Sequence, residues 1–547
     1  MNKISYIKLM IALACFAMLN GCSKEFLNRP PEDAIVDVNF YKTPEQVLAG
    51  TAPLYNIVWF AYNDKASHGI GDGRGGVLMS GSYQVENIRM QTTDVTGEVY
   101  TSWTSFFNVV AQSNMIINNL SKYTAPSVSE AAKQAGIAEG RFMRAVAYSY
   151  LVQNWGPVPV IVDNNTLLTD TTITRNTVES VWEFIIRDLR FAAEYLPPSP
   201  ALKGRLTKWA AKGMLAKAFL TRAGISGTRN QADLDSAAKH SLEVIENSGA
   251  RLMANYEDLF LMKNNNNSES LFALQWKYDG DWGTQNSVQA FLAYGSEITG
   301  FGDGWGGDLG ASLDMLKMYS PLDKRLKATY MLPGTHYPYI HQSVDDPANP
   351  GKKIIQELQV PWNWVGADRY NTRAWVKKYV VGRPEDNEGK VTQQHTEINT
   401  YMLRLADVYL VYAEAKLGAA ASTNDALALK YFNAVRTRAG VPEKALITED
   451  DIFNERKLEL AMEGQVWYDA VRMHYYNPAK VLQILSNQDR GSYRIVPNAP
   501  VNATSWTITS DTPAFYPVTE SNFYLPYPAV EMAAAPNLRK PPVPYKF

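Results

Sequence analysis

Glu455, Glu459 and Glu463 recur at every fourth residue, which on a helix stacks three carboxylates on one face. Two such groups are what a glycosidase uses as acid and base. Stacked like charges also demand cationic partners, and Arg404, Arg436, Arg438, Arg456 and Arg472 lie in the same stretch. A neutralised scaffold network is therefore expected here, and no enzyme activity. The six histidines are dispersed, and His336 and His341 lack helical spacing, so no metal site is expected. Gly71-x-Gly73-x-x-Gly76 and Gly302-x-Gly304-x-x-Gly307 match a dinucleotide-binding spacing, but neither follows a β-branched strand run. Both are expected to be flexible surface loops, with no cofactor. Asp279-Gly280-Asp281 and the stretch from Asp303 to Asp308 offer oxygens to a structural calcium, without completing an EF-hand loop. Asp-Gly turns are the plainer reading of both, with a structural calcium as the lesser alternative.

The aromatic residues offer binding rather than catalysis. Trp282 sits beside Asp281 and Gly283, and Trp305 lies between Gly304 and Gly306, close to Asp303. Glycine and aspartate around a tryptophan favour a turn that presents the ring outward, whereas a core tryptophan has apolar neighbours. A flat indole can stack on the C–H face of a pyranose while Asn, Asp and Gln bond the hydroxyls. Tyr83, with Gln84, Glu86, Asn87 and Arg89, is a third candidate patch. Trp362 and Trp364 alternate around Asn363, as on a strand with one exposed face. Trp182, Trp209 and Trp467 fall on helical patterns and are expected in the core.

These loops need a rigid carrier, and its pattern is helical. Val178, Val181, Trp182, Ile185, Leu189, Ala192 and Leu196 mark one helix face, with Asn176 and Glu179 spaced as a capping box and Pro197-Pro198 as a stop. Thr207 is placed to cap a helix over 207–222, and another covers 234–246. Met402, Leu405, Ala406, Tyr409 and Ala413 share a face; Ala428, Leu429, Phe432 and Val435 share another, ended by Gly440; a further helix spans 450–472. Paired Ala-rich helices of this kind predict a mostly α scaffold of helix hairpins, mainly in 41–250 and 400–475. Residues 260–400 are rich in Gly, Asn, Asp, Tyr and Trp and lack helical period, which predicts an irregular, loop-rich binding region. Ten of the 29 prolines fall in 497–547, so that tail is expected to wrap the surface in extended form.

The chain has 547 residues and a net charge of −2, which offers no basic field to nucleic acid. Lys3 and Lys8, an apolar run over 9–19, and Gly21 before Cys22 read as a secretory signal over 1–21. Leu19-Asn20-Gly21-Cys22 resembles a lipobox, so Cys22 is expected to carry lipid, with a tether over 22–40 and a single unit over 41–547. Cys15 is the only other cysteine and lies inside the signal, which leaves the mature chain without a free thiol. The lipid would then be its only membrane attachment.

Several blocks, in order along the chain, resemble the SusD/RagB family of outer-membrane nutrient-binding lipoproteins of Bacteroidetes. They are Cys22 with Phe26-Leu27 and Pro30; Arg141-Phe142-Met143-Arg144-Ala145 leading to Tyr148 and Trp155-Gly156-Pro157-Val158-Pro159; and Gly204-Arg205-Leu206-Thr207 before Ala210-Ala211. Later come Arg404-Leu405-Ala406-Asp407-Val408 with Tyr412-Ala413-Glu414-Ala415, then Asn433-Ala434-Val435-Arg436 with Arg438-Ala439-Gly440, then Glu455-Arg456, Glu459-Leu460 and Glu463-Gly464. Leu525-Pro526 through Asn537 resembles the closing block, although Val466 stands where the family often has Arg. The resemblance implies tetratricopeptide-like helix pairs, a lipid anchor at the cell surface, and a lid-like role over a SusC-like TonB-dependent barrel. It implies a glycan as ligand, with a peptide as the alternative.

Overall fold

The computed structural model describes residues 40–168, 172–200, 202–361, 373–497 and 506–547. Cys22, Trp362 and Trp364 lie outside the described residues. The chain is mostly helical. The helices used below are α1 (Pro44–Thr51), α2 (Gly97–Tyr123), α3 (Glu130–Trp155), α4 (Val178–Tyr195), α5 (Lys208–Arg222), α6 (Gln231–Asn247), α7 (Leu405–Leu417), α8 (Ala426–Ala439), α9 (Glu449–Leu460) and α10 (Val466–His474). From α2 to α8 each packs on its sequence neighbour, including α6 on α7 across some 150 intervening residues. The helix ladder is therefore one stack with a long insertion. The strands Ser270–Leu274 and Thr400–Arg404 pair antiparallel and pinch the insertion shut at its base.

Helix ends follow local chemistry. The hydroxyls of Ser129 and Thr207 accept the amides of Ala132 and Ala210, and Gly440 stops α8 at φ +79°. The α4 cap is Thr177, whose hydroxyl accepts the Ser180 amide, and not Asn176. The Asn176 side chain instead accepts the Val160 amide at 2.8 Å, which ties the loop after α3 to the start of α4. Met402 lies in the strand before α7, so it shares no helix face with Leu405. Trp182 and Trp467 are buried as expected. Trp209 is only half-buried, with the Lys208 and Lys212 ammonium groups 4.6 and 5.6 Å from its ring.

Residues 450–472 form two helices rather than one. α9 ends at Leu460, and α10 begins at Val466 after a break containing Met462 (φ +61°) and Gly464 (φ +68°). The break frees amides that need partners, and the buried Asp72 carboxylate accepts Met462 N at 2.9 Å and Gly464 N at 3.0 Å. Asp72 sits in the first Gly-x-Gly stretch, which is buried rather than a surface loop. A Cβ on Gly71 would lie 2.3 Å from the Gly464 carbonyl oxygen, so glycine is what lets the two backbones meet.

The glutamate ladder is a buried ion network. Arg404 reaches Glu269 (2.7 Å), Glu459 (2.9 Å) and Glu463 (2.7 Å). Arg438 bonds Glu269 and Glu459, while Arg325 bonds Asp323, Glu455 and Glu459. Arg436 adds a bond to Glu455, and Lys378 one to Glu463. Arg456 and Arg472, expected in this network, instead pair with Asp407, Asp469 and Glu414 beside it. Burial pushes the Glu459 carboxyl up, but Arg438, Arg404 and Arg325 outweigh it and hold the group at about 2. A carboxyl depressed in the folded state adds stability above its unfolded value and loses it on acidification. The melting temperature is thus expected to fall between about pH 4.5 and about pH 2. A melting temperature that stays level through that window would remove Glu459 as a contributor.

The Pro-rich tail is not extended throughout: Trp506–Thr512 pairs in a hairpin with Ser492–Pro497, and Glu520–Phe523, Ala529–Ala534 and Pro536–Arg539 are short helical turns. Trp155 donates to the Pro526 carbonyl at 3.0 Å, and the Tyr527 hydroxyl donates to the carbonyls of Trp155 and Pro157.

Candidate functional site

Five chain segments build one aromatic surface on the insertion and on the stretch before α2. The first is 56–66. The Asn56 side chain accepts the Ile57 amide, a tight turn follows, and Tyr62–Ala66 widens into a π-helical turn. Such turns cluster at functional sites. This path leaves Phe60 half-buried and both Ile57 and Lys65 exposed.

The second segment is the turn that carries Trp282. Lys277 N donates to Thr284 O, and the Thr284 amide and hydroxyl both donate to Asp281 O. Gly283 takes φ +100° and its amide donates to the Gln285 side chain at 2.7 Å. The turn closes on itself and leaves the indole 57% exposed. Phe60 and His395 flank that ring at 5.4 and 5.6 Å, both steeply inclined to it.

The third segment carries Trp305 and lies flat on the short helix Val288–Leu292. Gly304 N and Trp305 N both donate to Ala290 O, and Gly306 N donates to Ala293 O. Gly304 holds φ +95°, where a Cβ would lie 2.5 Å from the Gly295 carbonyl carbon. The glycines therefore allow a backbone approach that leaves Trp305 49% exposed. Phe291, one turn of that helix, lies 5.2 Å from Trp305 and 6.1 Å from Tyr83, stacked nearly parallel to the tyrosine. Lys65 Nζ sits 5.6 Å from the Phe291 centroid.

The fourth and fifth segments lock these loops. Asp308 accepts Ser80 Oγ (2.8 Å), Gly81 N (2.7 Å) and Ser82 Oγ (2.7 Å) and pairs with Arg373 (2.9 Å), which fixes the Tyr83 segment to the Trp305 loop. Burial raises the Asp308 carboxyl, but Ser82, Ser80 and Arg373 outweigh it and hold it below the usual carboxylate range. The hairpin 391–396 joins the two tryptophan loops: Gln394 N donates to Asp303 Oδ2 at 2.8 Å, while His395 meets Trp282.

The structure thus brings Trp282, Trp305, Tyr83 and Asp281 to the surface together, with Tyr83 half-buried. Burial raises its phenol to about 12, so it stays protonated. Asn87 and Asp303 are corrections. Asn87 is fully buried and donates to Gln84 Oε1, and Asp303 is buried beneath the hairpin tip. Both hold loops in place and neither faces solvent. Both Asp308 carboxylate oxygens and Asp303 Oδ2 are thus committed to loop bonding. Phe60, Phe291, Lys65 and His395 complete the surface and were not read from the sequence. Phe291 lies in an apolar run that reads as core, and only the packing shows it half-exposed. The surface offers flat rings and amides, with exposed Lys277, Asp279 and Asp281 beside them and Lys65 paired with Asp64 at 3.9 Å.

Residues 255–543 match a family model described as the SusD family, and residues 26–220 match one described as starch-binding associating with outer membrane. A SusD-like protein of Bacteroides ovatus is 40% identical, covering 99% of this chain and 98% of its own. A crystal structure with xylogluco-oligosaccharide superposes with a TM-score of 0.81 at 38% identity, covering 92% of this chain and 99% of that one. A laminarin-binding SusD-like protein shares the fold with a TM-score of 0.65 at 22% identity, covering 90% and 98%. Among the described residues no helix is long and apolar enough to cross a membrane.

Proposed function

Because the chain belongs to the SusD family, we propose that it is a non-catalytic, cell-surface glycan-binding lipoprotein that hands oligosaccharides to a SusC-like TonB-dependent barrel. Cys22 would carry the lipid that tethers it to the outer membrane. The observation behind this reading is the aromatic surface of Trp282, Trp305, Phe291 and Tyr83, held rigid by glycine turns and buried carboxylates on an insertion that the helix ladder supports. Stacking on rings of this kind holds a sugar without chemistry, and the buried glutamate network is closed to substrate. A relative at 38% identity binds a xylogluco-oligosaccharide, which makes that ligand class the first to test. No cofactor takes part.

The test is calorimetry on the chain lacking residues 1–22. It uses xyloglucan oligosaccharides, other plant, host and microbial glycans, and a peptide mixture, and reducing ends are assayed in parallel. The expected result is saturable binding to one glycan class with no release of reducing ends. Binding to peptides alone would replace the glycan with the alternative ligand. Release of reducing ends by the purified protein would overturn the non-catalytic role.

A further inference from the structure

Aromatic stacking holds a pyranose but tells one sugar from another poorly, so discrimination falls to hydrogen bonds placed beside the rings. We propose that the hairpin 391–396 supplies them: Gln393 and His395 read the hydroxyls of a neutral glycan lying on Trp282 and Trp305. The inference rests on the glycan-binding reading and deepens it.

The hairpin is held as a fixed element. Thr396 and Asn286 exchange both backbone hydrogen bonds at 2.9 Å, and Thr396 Oγ1 adds another to Asn286 O. At the tip Gln394, in the two-residue turn, takes φ +58°, a left-handed conformation uncommon for a non-glycine residue. The buried Asp303 carboxylate holds this tip by accepting the Gln394 amide at 2.8 Å. This gives Asp303 a purpose although it never meets solvent.

The fixed tip aims two polar side chains. Gln393 occupies the two-residue turn and His395 is the first paired residue after it, so both side chains belong to the hairpin tip. The His395 ring lies 5.6 Å from the Trp282 indole. Gln393 reaches the other loop: its amide nitrogen lies 3.7 Å from where a Cβ on Gly302 would stand. The His395 tautomer follows from its partner. Nδ1 lies 2.7 Å from the Gln393 carbonyl oxygen, which only accepts, so Nδ1 carries the proton. In the neutral ring Nε2 is then an acceptor. One fixed acceptor and one amide, which donates and accepts, match adjacent hydroxyls on a sugar. The carboxylates near the rings, Asp64, Asp279 and Asp281, give no reason to favour a uronate or a sulfated chain.

Calorimetry with a xyloglucan oligosaccharide tests this, with an oligogalacturonide as the charged comparison. His395→Phe keeps a ring against Trp282 but removes the acceptor, and Gln393→Ala removes the amide. Each is expected to weaken binding on the order of tenfold, with the melting temperature unchanged. His395→Gln, which restores a polar terminus, is expected to recover part of the loss. The oligogalacturonide is expected to bind more weakly than the neutral chain. If the unaltered protein binds and Trp282→Ala loses binding, yet His395→Phe and Gln393→Ala bind normally, the hairpin only packs the indole and the proposal is overturned. Tighter binding of the oligogalacturonide would overturn the neutral class. Absence of any glycan binding by the unaltered protein overturns the parent reading and this one with it, and is told apart from hairpin failure by that unaltered control.

Discussion

Arg404→Met is expected to destabilise the protein by about 3–5 kcal/mol, the usual cost of removing one partner from a buried ion pair. Arg404 is fully buried and bonds three glutamates that come from two parts of the chain. Glu269 belongs to the base of the insertion, whereas Glu459 and Glu463 belong to the end of α9 and the break after it. Without the guanidinium these carboxylates keep only Arg438, Arg325 and Lys378, and each of those already serves another acid or the same one. Methionine fills similar volume, so the loss reflects charge rather than a cavity. Arg404→Lys should recover only part of it, because one ammonium cannot span three carboxylates in the planar fork that Arg presents. Chemical denaturation followed by tryptophan fluorescence reads the effect. A loss below about 1 kcal/mol would place this network with exposed surface pairs, which contribute that little.

The position of Arg404 also shows why part of the architecture was legible in the sequence and part was not. Helix ends at Thr207 and Gly440 were readable because the cap and the residues it serves lie within a single turn. The glutamate ladder was readable as a neutralised face, but its partners were only partly so. Arg325 comes from the insertion, while Arg456 and Arg472 lie close in sequence yet turn toward Asp407, Asp469 and Glu414. The break between α9 and α10 had no local sign strong enough to predict it, since its amides are met by Asp72, some 390 residues earlier. A buried Gly-x-Gly looks like a loop for the same reason: the close backbone approach that requires it is tertiary. At the aromatic surface the outward tryptophans were readable because Gly and Asp flank them. Phe291 and His395 were not, because whether a ring faces solvent depends on what packs behind it.

The flanking glycines also make the tryptophans separable from the fold, which sets up the largest expected change in binding. Trp282→Ala and Trp305→Ala are each expected to weaken glycan binding by about 1–3 kcal/mol, by analogy with the loss of a nucleobase stack. That is roughly 5- to 150-fold in affinity. The two indoles sit on different loops and contact different neighbours: Phe60 and His395 for Trp282, Phe291 for Trp305. Their losses should therefore add in the double variant if one oligosaccharide spans both rings. If the chain rests on only one ring, a single variant will carry the whole effect and the double will match it. Stability should change little, because both rings are about half exposed and neither indole holds a core hydrogen bond among the described residues. Trp282→Phe, which keeps a smaller stacking face, should fall between Ala and Trp. Calorimetry with oligosaccharides of increasing length reads both points: a length threshold lost only when Trp305 is removed would place the two ends of the ligand. Unchanged affinity in the double variant would make both rings structural plugs and send the search for the binding surface elsewhere on the insertion.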